Sequence, residues 1–330
     1  MISRLPKISI IIPIFNEEAL LHELIARVGA VMSGLDARGE ASCELVLVND
    51  GSRDSSLSML HEAAKQDSRL VIVDLSRNFG HQSAIQAGME ISTGDAIAIL
   101  DGDLQDPPEL IEQLIAEWKK GFSIVIAKRR SRAESGLRKL LFNTFYKVLG
   151  RLSDFPIELN AGHFSIIDRK AVNDLLALKE RNRFLPGLRA WVGYSQGFIY
   201  YDREERLAGA PKMTFFKLLK YGFDAIFSFS YKPLRAIWSI GFVVSTLCIL
   251  YAFFLIILRI FNINVVQGFT TPTVATLFLG GVQLISVGIL GEYLGRIYDE
   301  VKQRPLYIIR DVYSTRASES DTVSQAKPIA

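Results

Sequence analysis

The run Ile8-Ser-Ile-Ile-Ile-Pro-Ile14, followed at once by Phe15-Asn-Glu17, decides the fold. It is almost continuously β-branched, Pro13 ends its ladder, and an amphipathic stretch from Glu17 to Met32 comes next, which predicts a strand and then a helix. The alternation recurs. Strands are predicted at Glu44-Leu-Val-Leu-Val48, Leu70-Val-Ile-Val-Asp-Leu75, Ala96-Ile-Ala-Ile-Leu100 and 123–127, with helices at Ser55 to Lys65, Ser83 to Glu90 and 109–119 between them. Apolar strands alternating with helices predict an α/β fold, a mostly parallel sheet covered on both faces. Ligands of such a sheet sit beyond the carboxyl ends of its strands.

Apolar residues make up 49% of the 330, ample for a core. Up to about residue 230 they are dispersed, as in a soluble domain. Two blocks then follow, Ala236 to Leu258 and Phe269 to Leu290, neither with a charged residue. A helix needs roughly 20 residues to cross the hydrocarbon core, so the blocks predict two spans. A buried hairpin of a soluble protein is the alternative, disfavoured because uncharged helices of this length are rare there. The segment between the blocks, Asn262 to Gly268, is uncharged, whereas Lys232 and Arg235 precede the pair and Arg296, Lys302 and Arg304 follow it. The positive-inside rule then puts both termini in the cytoplasm. Lys7 leads straight into the first strand without a cleavable signal.

The expected division is a catalytic domain over 1–212, an interfacial region over 213–232, a two-span hairpin over 233–298 and a cytoplasmic tail over 299–330. Met213 to Ser230 is rich in Phe, Leu and Tyr interleaved with Lys217 and Lys220, which suits a helix in the membrane interface, or an ordinary amphipathic helix packed on the domain. The stretch after Tyr313 reads as a disordered tail. Cys43 and Cys248 fall in different parts, in keeping with a reducing compartment. A net charge of +3 is too small to indicate a nucleic-acid partner. Gly280-Gly281 and Gly288 permit close helix contact in lipid, and with it a homo-oligomer.

Polar residues recur where the strands end: Pro13-Ile-Phe-Asn-Glu17, Asn49-Asp-Gly-Ser52 and Asp101-Gly-Asp-Leu-Gln-Asp106. Singly, each has a bland explanation as a helix cap or a turn. Together they converge on one crevice. Asp101, Asp103 and Gln105 offer hard oxygen donors of the kind that bind Mg²⁺ or Mn²⁺ beside a diphosphate. No GxGxxG follows the first strand and no P-loop lysine motif is present, which argues against a dinucleotide fold or an NTPase.

In these residues the chain resembles the family 2 glycosyltransferases of GT-A fold, in the polyisoprenyl-phosphate branch that includes dolichol-phosphate mannose synthase and the bactoprenol (undecaprenyl-phosphate) glucosyltransferases. The likeness extends through Ser76-Arg-Asn-Phe-Gly80, Arg181 to Gly187, Phe227 to Ser230, Pro233-Leu-Arg235 and Leu290-Gly-Glu-Tyr-Leu-Gly-Arg296. The resemblance implies an inverting, metal-dependent transfer of one sugar from a nucleotide-sugar, UDP-linked in the common case, to undecaprenyl phosphate. The site would be at the cytoplasmic face of a bacterial inner membrane, and the product would pass to a flippase and a second glycosyltransferase for envelope glycan modification.

By the same resemblance Pro13, Asn16, Glu17 and Asp50 hold base and ribose, and Asp101, Asp103 and Gln105 hold the metal. Arg206 and Lys212 lie near the diphosphate, and Lys128, Arg129 and Arg138 bind the acceptor phosphate. The basic run Lys128 to Arg132 reads equally as an attraction to anionic lipid. The chain departs from the family pattern at Pro211, where serine is usual, and at Ala161-Gly-His-Phe-Ser-Ile166. There His163 stands in place of a candidate catalytic aspartate and Ser165 in place of an arginine. Two rival readings are a catalytically inactive scaffold that binds nucleotide-sugar and a processive polysaccharide synthase, whose Gln-x-x-Arg-Trp motif is absent.

Overall fold

The computed structural model describes residues 4–130, 161–178, 180, 181, 183–202, 232–260 and 270–315. They fall into two units, a sheet domain and a pair of helices.

Strand β1 (Lys7–Ile14) is buried from Ile8 to its end, because parallel neighbours flank it on both edges and helices cover both faces. β2 (Ser42–Asn49) lies on one side, with Ile8 opposite Cys43 and Ile14 opposite Asn49. β4 (Ala96–Ile99) lies on the other, with Ile8 opposite Ala96. Helix α1 (Leu21–Ala37) follows β1, α2 (Ser56–Gln66) follows β2, β3 (Leu70–Leu75) leads to α3 (His81–Ile91), and α4 (Leu110–Trp118) leads to β5 (Ile124–Arg129). Then come β6 (Ala161–Asp168), α5 (Arg169–Ala177), α6 (Leu185–Trp191) and β7 (Gln196–Tyr201). A last strand, β8 (Ile309–Ser314), closes one edge, giving the order β7-β5-β6-β4-β1-β2-β3-β8.

The sheet is mixed: β6 runs antiparallel to β4 and β5, and β8 antiparallel to β3. Its core is aliphatic, with Ile10, Ile12, Leu24, Leu45, Leu47 and Ala98 fully or almost fully buried. Each fully buried Ile or Leu contributes roughly 1.5–3 kcal/mol. α3 approaches β1 closely enough that a Cβ on Gly88 would stand 2.4 Å from Ile11 Cγ2.

Two sequence expectations change here. The first helix begins at Leu21 rather than near Glu17, because residues 15–20 are spent on a loop that ties to the next one. Ile309–Ser314, within the stretch expected as a tail over 299–330, is a strand; its ladder to β3 satisfies an edge that would otherwise stay open. The expected interfacial helix of 213–230, the loop of 262–268 and the stretch from 316 onward lie outside the described residues.

In the other unit, α7 (Lys232–Ile260) and α8 (Thr270–Val301) span 29 and 32 residues. Trp238, Phe242, Leu247, Phe253, Leu284 and Leu294 are exposed by more than half. Among the described residues one stretch, Phe278–Val301, is long and apolar enough to cross a membrane, with mean hydropathy 1.4.

Candidate active site

The loops at the carboxyl ends of β1, β2 and β3 are bonded to one another. Asn16 takes a left-handed backbone (φ 53°), a conformation that asparagine tolerates better than most side chains. Its N–H donates to Ser52 Oγ at 3.1 Å, and its Oδ1 accepts from Arg53 N at 2.8 Å. Glu17 N donates to Ser56 Oγ at 3.2 Å. Asp50 accepts from Phe79 N at 2.7 Å with one oxygen and from Gly80 N at 3.0 Å with the other. Burial raises its pKa, and those two N–H groups only partly offset the rise. Between them Gly51 holds φ 64°, and a Cβ there would lie 2.5 Å from Arg77 C and 2.6 Å from Asn78 N. Only glycine lets the two loops close to this distance.

β4 delivers Asp101 and Asp103. Leu104 behind them is buried and left-handed (φ 54°), a conformation that costs a branched residue roughly 1–2 kcal/mol. Asp103 Oδ1 accepts from Gln105 N at 3.2 Å. His81, in the first turn of α3, donates from Nε2 to Asp101 Oδ1 at 2.9 Å. Burial alone would raise the Asp101 pKa, but the His81 bond and charge outweigh it and hold the carboxyl well below the usual range. The same pairing raises His81 above its ordinary value against the opposing effect of burial.

The antiparallel register sets Ile99 opposite Ser165, so its continuation brings His163 opposite Asp101. The His81 and His163 rings are 4.8 Å apart at their centroids. Gln82 Nε2 donates to His163 Nε2 at 3.2 Å, which leaves the ring proton on Nδ1, a buried atom without a hydrogen-bond partner among the described residues. Burial, reinforced by the His81 charge, pushes the His163 pKa down to about 3, so the ring is neutral.

Pro13, Glu17, Asp50, Asp101 and Asp103 thus share one cleft of about 370 Å³ with Phe15, Asn78, Gly80 and His81. Asn16 is not in its wall; its amide is committed to the neighbouring loop. Arg129 is committed too: its Nη2 lies 3.4 Å from Asp106, which is fully buried and also bound by the Tyr201 hydroxyl. The Lys128 ammonium sits 3.5 Å over the Phe198 ring. Arg138, Arg206 and Lys212 lie outside the described residues.

His81 and Gln82 escaped the sequence reading, although His81 directly follows the Ser76–Gly80 motif and is one of only four histidines; Asp106, read with the acidic cluster, is instead buried against Arg129 and Tyr201. For a divalent ion, Asp101, Asp103 and the Gln105 amide form an oxygen donor set that fits Mg²⁺ or Mn²⁺. No group of three or more His, Cys, Asp or Glu side chains is arranged for a metal among the described residues.

A family model described as glycosyl transferase family 2 matches residues 9–176. An uncharacterised glycosyltransferase of Synechocystis sp. is 46% identical over 309 residues, 93% of this chain and 96% of its own length. The bactoprenol glucosyl transferase of Shigella phage SfX is 40% identical over 305 residues, 92% of this chain and 99% of that one. A prophage bactoprenol glucosyl transferase homolog of Escherichia coli K12 is also 40% identical, over 93% and 99%. A cleft of strand-end carboxylates and end-to-end similarity to such enzymes lead to one conclusion: this chain belongs to glycosyl transferase family 2 and is a glycosyltransferase.

Proposed function

We propose that the enzyme transfers one sugar, with inversion, from a nucleotide-sugar to a polyisoprenyl phosphate, undecaprenyl phosphate in a bacterial inner membrane. The observation that carries this reading is the convergence of Asp50, Asp101 and Asp103 on one cleft at the strand ends. The donor is a UDP-sugar, its base and ribose against Pro13, Glu17 and Asp50. A divalent ion bound by Asp101, Asp103 and Gln105 would supply charge neutralisation for the departing diphosphate.

The acceptor needs little activation. A phosphate monoester has a second pKa of about 6 and near neutral pH is mostly a dianion, so its oxygen can attack the anomeric carbon directly while the nucleoside diphosphate leaves from the opposite side. No general base is required of the protein. His163 suits a different role, because its Nδ1–H is a buried donor in want of an acceptor, such as a sugar hydroxyl. His81 keeps Asp101 ionised and oriented. Arg138 and Lys128 remain the candidates for the acceptor phosphate, and Arg206 and Lys212 for the diphosphate.

The lipid acceptor is supported by the apolar helices α7 and α8 and by the similarity to bactoprenol glucosyl transferases along nearly the whole chain. Two spans with both termini cytoplasmic are the corresponding topology.

The test is to incubate the purified full-length protein with undecaprenyl phosphate and a panel of radiolabelled nucleotide-sugars. One of them is expected to yield a lipid-linked monosaccharide, and chelation or Asp103→Asn should abolish the product without loss of folding. Full turnover in metal-free buffer would refute the metal assignment, and transfer to water or to a growing glycan, with none to the lipid, would refute the acceptor.

A further inference from the structure

A second cavity, of about 380 Å³, adjoins the cleft and shares with it only Phe15 and Asn78. Three loops or edges bring an arginine to it: Arg53 after β2, Arg77 after β3 and Arg310 from β8. Among the described residues Asp74 is the only acid in its lining. Both Asp74 oxygens are engaged, Oδ1 by Asn49 Nδ2 at 2.7 Å and Oδ2 by Arg310 Nη1 at 3.2 Å. Three guanidiniums against one carboxylate leave the lining with an excess of positive charge.

The arginines are also placed to bind. Arg310 Nη2 donates to Ser76 O at 2.7 Å. Arg77 donates from Nη1 to Asn78 O at 2.9 Å, and its guanidinium carbon lies 4.0 Å over the Phe79 ring. These bonds use only some of the five N–H groups on each side chain and fix the orientation of the rest. Arg53 makes no side-chain hydrogen bond or ion pair among the described residues, although like charges stand near it. Asn49, 1% exposed, and Asp74, 5% exposed, are part of the lining, whereas the three arginines are exposed at the recess. The volume falls in the range of small-molecule sites. Ser52 and Ser76 add hydroxyls, and Phe15 and Leu57 add an apolar side.

We propose that this recess is a second ligand site, separate from the donor cleft, that takes a small phosphate ester or diphosphate between Arg53, Arg77 and Arg310. Forked guanidinium donors match the oxygens of a phosphoryl group. The site stands or falls independently of the transferase reading, since its test needs neither donor nor turnover.

The experiment is titration calorimetry of the full-length protein in detergent with inorganic pyrophosphate, in metal-free buffer at constant ionic strength. Saturable one-to-one binding is expected, unchanged in Asp103→Asn and weakened tenfold or more in Arg53→Gln with Arg77→Gln. Neither side chain holds up the fold, so the double variant should melt with the wild type, and Arg53→Lys should keep part of the affinity. Displacement of the probe by uridine monophosphate would mark a soluble ester as the natural ligand. Displacement by phosphatidylglycerol vesicles alone would mark a lipid headgroup. Absence of saturable binding, or equal binding by the double variant, would overturn the proposal.

Discussion

At the scale of single residues, His163 stands where the family resemblance implies an aspartate, and its surroundings decide what it can do. A general base contributes about 10²- to 10⁴-fold, and only if its lone pair is available and its pKa lies near the working pH. Here the Nε2 lone pair accepts from Gln82 and the pKa is pushed down to about 3. The ring is therefore neutral throughout the neutral range, with its one proton on Nδ1, and a charged role toward a phosphate is closed to it. His163→Ala should keep maximal turnover within about tenfold of wild type, with the defect in KM or in the choice of sugar. The pH–rate profile between about pH 5 and 9 should keep its shape. A fall in kcat of about 10³-fold at unchanged KM would identify His163 as the base after all.

At the scale of elements, the site depends on how closely the loops approach one another. Gly51→Ala places a Cβ against the backbone of Arg77 and Asn78 in a left-handed conformation. Strain and overpacking together should cost roughly 2–4 kcal/mol. Because Asn78 and Gly80 line the cleft, donor affinity should fall along with the melting temperature; a variant with wild-type melting and KM would show that the loops have room to spare. At the opposite ends of the strands, Glu44 is buried and accepts from Ser9 Oγ at 2.6 Å and Thr93 N at 2.7 Å, with the Lys7 ammonium at 2.6 Å. Burial would raise its pKa, but Lys7 and the hydroxyls prevail and lower it. A carboxylate with a depressed folded pKa stabilises the fold above its unfolded value, about 4.3, and the contribution is lost as pH falls through the folded value. Glu44→Gln should therefore cost about 1.5–3 kcal/mol at neutral pH. Melting curves of the two proteins should converge as the pH is lowered below the carboxylate range, and a difference that persisted there would contradict the assignment.

At the scale of the whole molecule, β8 bears on the topology. The chain leaves the sheet domain before α7 and rejoins the same sheet after α8, through Val71 opposite Ser314 and Asp74 opposite Asp311. If the chain crosses a membrane, its return to the sheet it left makes the number of crossings even, as in the proposed two-span topology. In a protein freed of Cys43 and Cys248, a cysteine at Asn264 should react with an impermeant reagent from the outer side alone. One at Ser318 should react from the cytoplasmic side alone. Labelling of both from one side would dispose of the hairpin.

The alternating strands and helices, the polar strand ends and the two uncharged blocks were legible in the sequence because each is a local pattern: periodicity, turn chemistry and hydropathy act within a few residues. Asp50, Asp101 and Asp103 could be picked out because they follow strands whose ends must converge. What no local pattern contained was the pairing across distance. The antiparallel insertion of β6 sets His163 opposite Asp101, α3 brings His81 and Gln82 onto both, and the return of β8 carries Arg310 to Asp74 over a separation of 236 residues. Local order along the chain thus specifies which chemistry is present. Folding then sorts those groups into ones spent on holding loops together and ones that still face a ligand, because hydrogen-bond partners are assigned by packing and not by neighbourhood in the chain.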